Sequence, residues 1–310
     1  MAGALEVKLS GGYRFEQIER LIRDIQPVAN LDAPRVVTLD MGGLAFIGPA
    51  GLALVVACLK RAVEAGLLAE GSSMVPPRSF LTARYLMRMD LFAHLAGVDV
   101  PEPFARKRPV GFRPCAHFAD QDGQIDVARS LKDALVEQCV VDDIASSAIY
   151  ICLDELTENV LHHAATDRGG FAAAQGWRGR SEFEIGIADM GVGIRASLAK
   201  NPDYSAVVDD AGAIVTALRP RVTSTPERNA GIGLFITKLL LAANGGTLMV
   251  RSGYGAVRSG ASEEVATAAV ELPGTLVALR ARTDRPLDIR DVYRELEPED
   301  QDAQDNGSPG

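Results

Sequence analysis

The chain has 310 residues, 47% of them hydrophobic and 24% charged, with a formal net charge of −9. That is about two average domains with ample apolar material for real cores. The negative balance argues against a nucleic-acid-binding surface and against general attraction to anionic membranes, leaving room only for a local basic patch.

The four cysteines, at 58, 115, 139 and 152, form no C-x-x-C pair, so neither a zinc site nor a disulfide framework is indicated and a reducing cytoplasm suits them. The opening "MAGALEVKLSGG" has no basic stretch followed by an apolar one, so no signal peptide is read and a cytoplasmic location is expected. Residues 44–59 are apolar but fall short of the ~20 residues a membrane span needs. Gly48, Pro49 and Gly51 interrupt them, and they read as a buried strand-to-helix turn.

In chain order, "LEVKL" reads as a strand, "FEQIERLIRDI" as an amphipathic helix and "RVVTLDM" as a second strand. After the turn "GGLAFIGPAG", Leu52, Val55, Val56, Leu59 and Val63 recur at helical spacing, with Pro49 suited to the first turn. A Ser/Pro break, "GSSMVPPRS", precedes the helical stretch "FLTARYLMRMDLFAHLAG", whose Met/Leu stripe reads as core or a docking face. The proline-rich, basic "VPEPFARKRPVGFRPC" has no sustained period and is read as the linker between two domains.

Two helices follow, "DVARSLKDALVEQC" and "DDIASSAIYICLDELTENVLHHA". On the second, Glu155, Asn159 and His163 fall on one stripe at i, i+4 spacing, apart from the apolar face of Ile149, Leu153, Leu156 and Val160. Strands are expected at "EFEIGIAD", "GTLMVRSG" and "TLVALRA", with a helix, "GLFITKLLLAANGG", among them. The expected boundaries are an α/β domain over 1–112 including the linker, an α+β sandwich over 113–284 with helices on one face of a mixed sheet, and an acidic disordered tail over 285–310.

The strand "FEIGIAD" ends in "DMGVGI", placing Gly191, Gly193 and Ile194 after Asp189. Alone, this is also how an ordinary glycine turn reads. In a pocket, the carboxylate would meet an N–H donor while the glycines let a ligand approach the backbone. "NAGIGLF" sets Gly231, Gly233 and Leu234 at a helix start, where free N–H groups can face a phosphate. It is neither a Rossmann fingerprint nor a P-loop, for want of a third glycine and of G-K-[ST].

Taken in order, E-x-x-x-N, D-x-G-x-G-I, G-x-G-L, "GGTLMVRSGYG" and a late Gly274–Thr275 resemble the GHKL ATPase superfamily, over roughly residues 120–282. The resemblance implies the Bergerat sandwich and a ligand, ATP with magnesium. Within it Asn159 would hold Mg2+, Asp189 would accept from the adenine amino group and Glu155 would be the general base. Gly191, Gly193, Ile194, Gly231, Gly233, Leu234 and Thr275 would complete the nucleotide site. His163 matches a histidine often found at the end of this box in anti-sigma-type kinases and is also read as a packed histidine; His162 has no assignment.

The resemblance makes "LRPRVTSTPERNAGIGL" a lid over the phosphates, with Arg221 or Arg228 as phosphate contacts or solvated charges. A histidine kinase would carry a dimerising helical hairpin with its acceptor histidine upstream. Only His94 and His117 precede the motifs, and neither sits in a heptad helix.

The first domain resembles a degenerate STAS domain, the partner fold of anti-sigma-factor kinases. Where that family commonly has D-S-S-G-L with a phosphorylatable serine, this chain has Gly48, Pro49, Ala50, Gly51 and Leu52, which offer no hydroxyl. The resemblance therefore implies an ATP-binding regulator, a serine/threonine protein kinase of the anti-sigma-factor type. Its partner would be a STAS-domain anti-anti-sigma factor or a sigma factor, with no nucleic acid and no membrane involved. An ATP-dependent protein-binding switch with little chemistry is the alternative, and a homodimer stays open.

Overall fold

The structure, a computed structural model, describes residues 4–95, 98–101, 115–139, 141–164, 168–224 and 231–296. Most of the expected linker, Arg228 within the expected lid, and residues 297–310 lie outside the described residues.

The first unit runs β1 (Leu5–Lys8), β2 (Gly11–Tyr13), α1 (Ile18–Ala29), β3 (Val37–Asp40), β4 (Leu44–Ile47), α2 (Pro49–Glu64), β5 (Ser73–Val75) and α3 (Phe80–Arg88). Strands β1, β3 and β5 form a parallel sheet in that order, and β2 pairs in parallel with β4. Helix α1 buries Ile18, Leu21, Ile22 and Ile25, the i, i+3, i+4, i+7 stripe of an amphipathic helix. Helix α2 differs: every residue from Pro49 through Leu59 is buried. A helix apolar all round needs cover on both sides.

The second unit supplies that cover. It runs β6 (Cys115–Phe118), α4 (Gln121–Cys139), α5 (Asp143–His163), β7 (Gly170–Trp177), β8 (Glu182–Asp189), α6 (Gly193–Leu198), α7 (Asp210–Ala217), α8 (Gly233–Asn244), β9 (Thr247–Ser259), β10 (Glu263–Arg282) and α9 (Ile289–Leu296). The sheet order is β6-β7-β8-β10-β9.

Two expectations about this unit are corrected. The sheet is not mixed, because each of its four pairings is antiparallel. Short loops fold β7 onto β8 and β9 onto β10, and the two-helix return of α4 and α5 brings the chain back beside the end of β6 with its direction reversed. The acidic tail does not begin at 285 either: α9 forms there, with Leu287, Ile289 and Val292 buried in the second unit's core.

Alternation along β8 separates the two faces of the sheet. Phe183, Ile185 and Ile187 join Leu131 of α4, Leu153 and Leu156 of α5, and Leu240 of α8 in one core. Facing the other way, Ala173, Ala188 and Ala278 share a core with Ala50, Leu54 and the rest of α2. The second unit's own helices thus lie on one face as expected, and the first unit closes the other. Small side chains let α2 lie close: a Cβ added at Gly186 would sit 2.2 Å from Ala50 Cα.

Polar contacts cross the same junction. Ala50 N–H at the start of α2 donates to Glu184 Oε1 at 3.1 Å. Tyr85 Oη lies 2.9 Å from Gln175 Oε1, and Arg280 pairs with Glu16 at 2.5 Å. Arg251, fully buried, sets Nε 2.6 Å from Glu19 Oε1 while its Nη2 donates to the Val270 carbonyl at 3.0 Å.

Candidate functional site

Helix α5 begins at Asp142, whose side chain accepts from Ala145 N–H at 2.8 Å, and it runs 21 residues before Ala164. Its length carries the polar stripe to the far end of the sheet. There a cavity opens, bounded by Asn159 and His163 of α5, Asp189 at the end of β8, its cross-strand neighbour Thr275 of β10, Gly193 and Ile194 of α6, Gly231, and Gly233 and Leu234 of α8. Counting its open mouth it holds about 810 Å³ of empty space, within the range of pockets that take small-molecule ligands and cofactors.

Asp189 is the charged group set deepest in this wall, with 5% exposure. Burial raises its carboxyl pKa to about 7, against the opposing effect of N–H donation from the Gly191 and Thr275 backbones. The first of these bonds, Gly191 N to Asp189 Oδ1, is 2.8 Å long. Gly191 does not itself line the cavity; it closes the turn, and a Cβ there would stand 2.2 Å from the Ala164 carbonyl oxygen.

The first and last glycine motifs are tied together by a hydroxyl. Ile194 N–H donates to Ser252 Oγ at 2.9 Å, and Ser252 Oγ donates to the Gly274 carbonyl at 2.9 Å. Gly274 has φ +82, and a Cβ there would come within 2.2 Å of the Asp189 carbonyl oxygen, so the approach needs glycine.

Ile232 precedes α8 without a side-chain cap, and among the described residues no side chain accepts from the N–H groups at Gly233 and Leu234. Such a helix start, beside a cavity, is suited to an anion. Glu155 packs here: a Cβ on Gly233 would meet its Oε2 at 2.4 Å. Glu155 therefore lies against the cavity wall, not within the wall as Asn159 does. Burial, then Glu158, then Asp154 raise its pKa.

His163 Nδ1 sits 3.0 Å from Ser224 Oγ, which in turn is 3.2 Å from Ser197 Oγ. Burial, His162 and Lys200 lower the His163 pKa to about 4, so the ring is neutral at neutral pH. Of the two lid arginines expected as phosphate contacts, Arg221 is exposed with φ 61 and does not line the cavity.

Sequence reading did not single out Ser197, Thr223 and Ser224 as site residues, though all three line the cavity. Isolated hydroxyls carry no spacing signal. Ser252 lay inside a quoted motif, but its bridging role needs the strand pairing of Thr275 with Ser252 to be seen. Among the described residues no group of three or more His, Cys, Asp or Glu is placed to hold a metal ion, and no helix is long and apolar enough to cross a membrane.

No protein-family model matches the chain, and no curated protein does. Fifteen chains of solved structures match it. One is full-length ShkA in complex with AMPPNP, 18% identical over 66% of this chain, with a TM-score of 0.26. The match spans 38% of that protein's chain, and likeness at this level carries no argument about function.

Proposed function

We propose that this cavity binds ATP with magnesium and that the protein is a serine/threonine kinase of the anti-sigma-factor type, acting on a partner such as a STAS-domain anti-anti-sigma factor. One observation carries the nucleotide reading: a buried carboxylate, Asp189, and an uncapped helix start, that of α8, line one cavity together with Asn159. A carboxylate that only accepts suits an exocyclic amino group, and the α8 N–H groups suit phosphate oxygens. The Asn159 amide oxygen suits a magnesium ion, which keeps most of its waters and takes few protein ligands. Magnesium bound there would neutralise charge on the phosphates.

Glu155, one turn from Asn159 and held near Gly233, is the base assigned to the incoming hydroxyl. Its position behind the wall also favours the second reading, an ATP-dependent binding switch in which Glu155 does little chemistry. In neither reading does the turn of the first unit accept the phosphate. That turn, Gly48 to Ala50, has no hydroxyl and is buried against Glu184, on the sheet face away from the cavity.

Titration calorimetry tests the nucleotide reading. ATP with magnesium should bind and GTP should bind at least about tenfold more weakly, since a buried polar pair left unmade costs about 1–3 kcal/mol. Equal affinities would remove the role given to Asp189. Transfer of labelled phosphate to STAS-domain proteins of the same cell separates kinase from switch.

A further inference from the structure

The hydroxyl that faces His163 belongs to a segment running beside the glycine loop. Val222 N–H donates to the Gly231 carbonyl at 3.2 Å, and Asn201 Nδ2 donates to the Thr223 carbonyl at 3.2 Å. These bonds hold residues 222–224 between Gly231, two residues before α8, and Asn201, beyond the end of α6. Ser224 lines the same cavity as Asn159, and His163 is one turn beyond Asn159 on α5. Ser224 thus brings a nucleophile, and His163 a proton acceptor 3.0 Å away, into the cavity that Asn159 and the start of α8 also line.

We infer that Ser224 is an internal phosphate acceptor, modified by the nucleotide bound beside it with His163 as the base. The inference rests on the ATP reading above and adds to it an acceptor within the chain. With the imidazole proton on Nε2, Nδ1 accepts the hydrogen bond from the Ser224 hydroxyl. In the reaction Ser224 Oγ forms a bond to the γ-phosphorus, the bond from that phosphorus to the β,γ-bridging oxygen breaks, and ADP leaves. The hydroxyl proton passes to Nδ1 and from there to water.

A weakly basic imidazole suffices, because phosphoryl transfer proceeds through a loose transition state in which positioning outweighs deprotonation. The low His163 pKa keeps the ring neutral and ready to accept, and returns the proton quickly.

Three measurements on the full chain decide it. Calorimetry first establishes ATP binding by the wild type. Intact-mass and fragment analysis after incubation with magnesium and ATP should then find one phosphate, on Ser224, gained at a rate independent of protein concentration. Ser224→Ala should abolish the gain, Ser224→Thr should restore it on the threonine, and His163→Gln, which keeps a hydrogen-bond partner for the hydroxyl but loses the proton acceptor, should slow it by about tenfold. ATP bound with no phosphate gained, or phosphate on Ser197 or elsewhere, would overturn the inference and leave Ser224 as a clip between its segment and α5. Absence of ATP binding would overturn the nucleotide reading itself, and this inference with it.

Discussion

Asn159 and Glu155 share one stripe of α5, yet only Asn159 enters the cavity wall. The difference separates binding from chemistry. Asn159→Ala removes the one side chain assigned to magnesium, so the triphosphate is less well neutralised and ATP affinity should fall. Glu155→Gln leaves that ligand in place and keeps the packing against Gly233. Turnover should fall by about 10²–10⁴-fold while ATP is still bound. Thermal shift with ATP and magnesium reads the first half by mass action, and hydrolysis or phosphotransfer reads the second. Full turnover in Glu155→Gln would hand the site to the binding-switch reading. Since burial and two neighbouring carboxylates raise the Glu155 pKa, wild-type turnover should rise with pH as this group ionises, a limb the Gln variant lacks.

At the level of elements, β8 joins the cavity to the junction between the units. Its odd positions lead to Asp189, and its even positions, Glu184, Gly186 and Ala188, face α2 and its surroundings. Gly186→Ala forces a methyl into the Ala50 backbone and should destabilise the protein by about 1–3 kcal/mol, the usual cost of overpacking. Gly179→Ala, where nothing lies within 4 Å, is the matched control and should change little in denaturant melts. If both variants melted like the wild type, the close approach of α2 would be wrong.

The strand β8 was legible because "EFEIGIAD" alternates and ends in a glycine turn, and its expected span coincides with Glu182–Asp189. The α5 stripe was legible for the same reason, a period. Strand β7 was not: "GFAAAQGW" is alanine and glycine, too small to show alternation, and that same smallness lets the first unit pack on the sheet. Antiparallel pairing, the bridge through Ser252 and the meeting of His163 with Ser224 depend on contacts distant in sequence, which local patterns do not carry.

Across the whole molecule the two units share one core, and a buried acid sits in their junction. Glu184 receives Ala50 N–H from α2, yet burial raises its pKa from 4.5 to about 7. That bond and Arg280 pull the value down, while Glu16 and Glu182 push it further up. Between pH 4.5 and 7 the folded protein therefore holds a proton that the unfolded chain has released, so stability falls as pH rises through this window. Above it, the shift corresponds to about 3 kcal/mol, at about 1.4 kcal/mol per pH unit.

Glu184→Gln keeps an acceptor for Ala50 and removes the ionisation. It should melt like the wild type near pH 5 and roughly 4–8 °C higher at pH 8. Asp189, raised in the same direction, keeps some of the slope in both proteins. Because α2 and the sheet bury each other, the gain should move one cooperative transition that carries both units. Two transitions, with only one of them shifted, would show that the units unfold apart and that α2 does not depend on the sheet for its second cover.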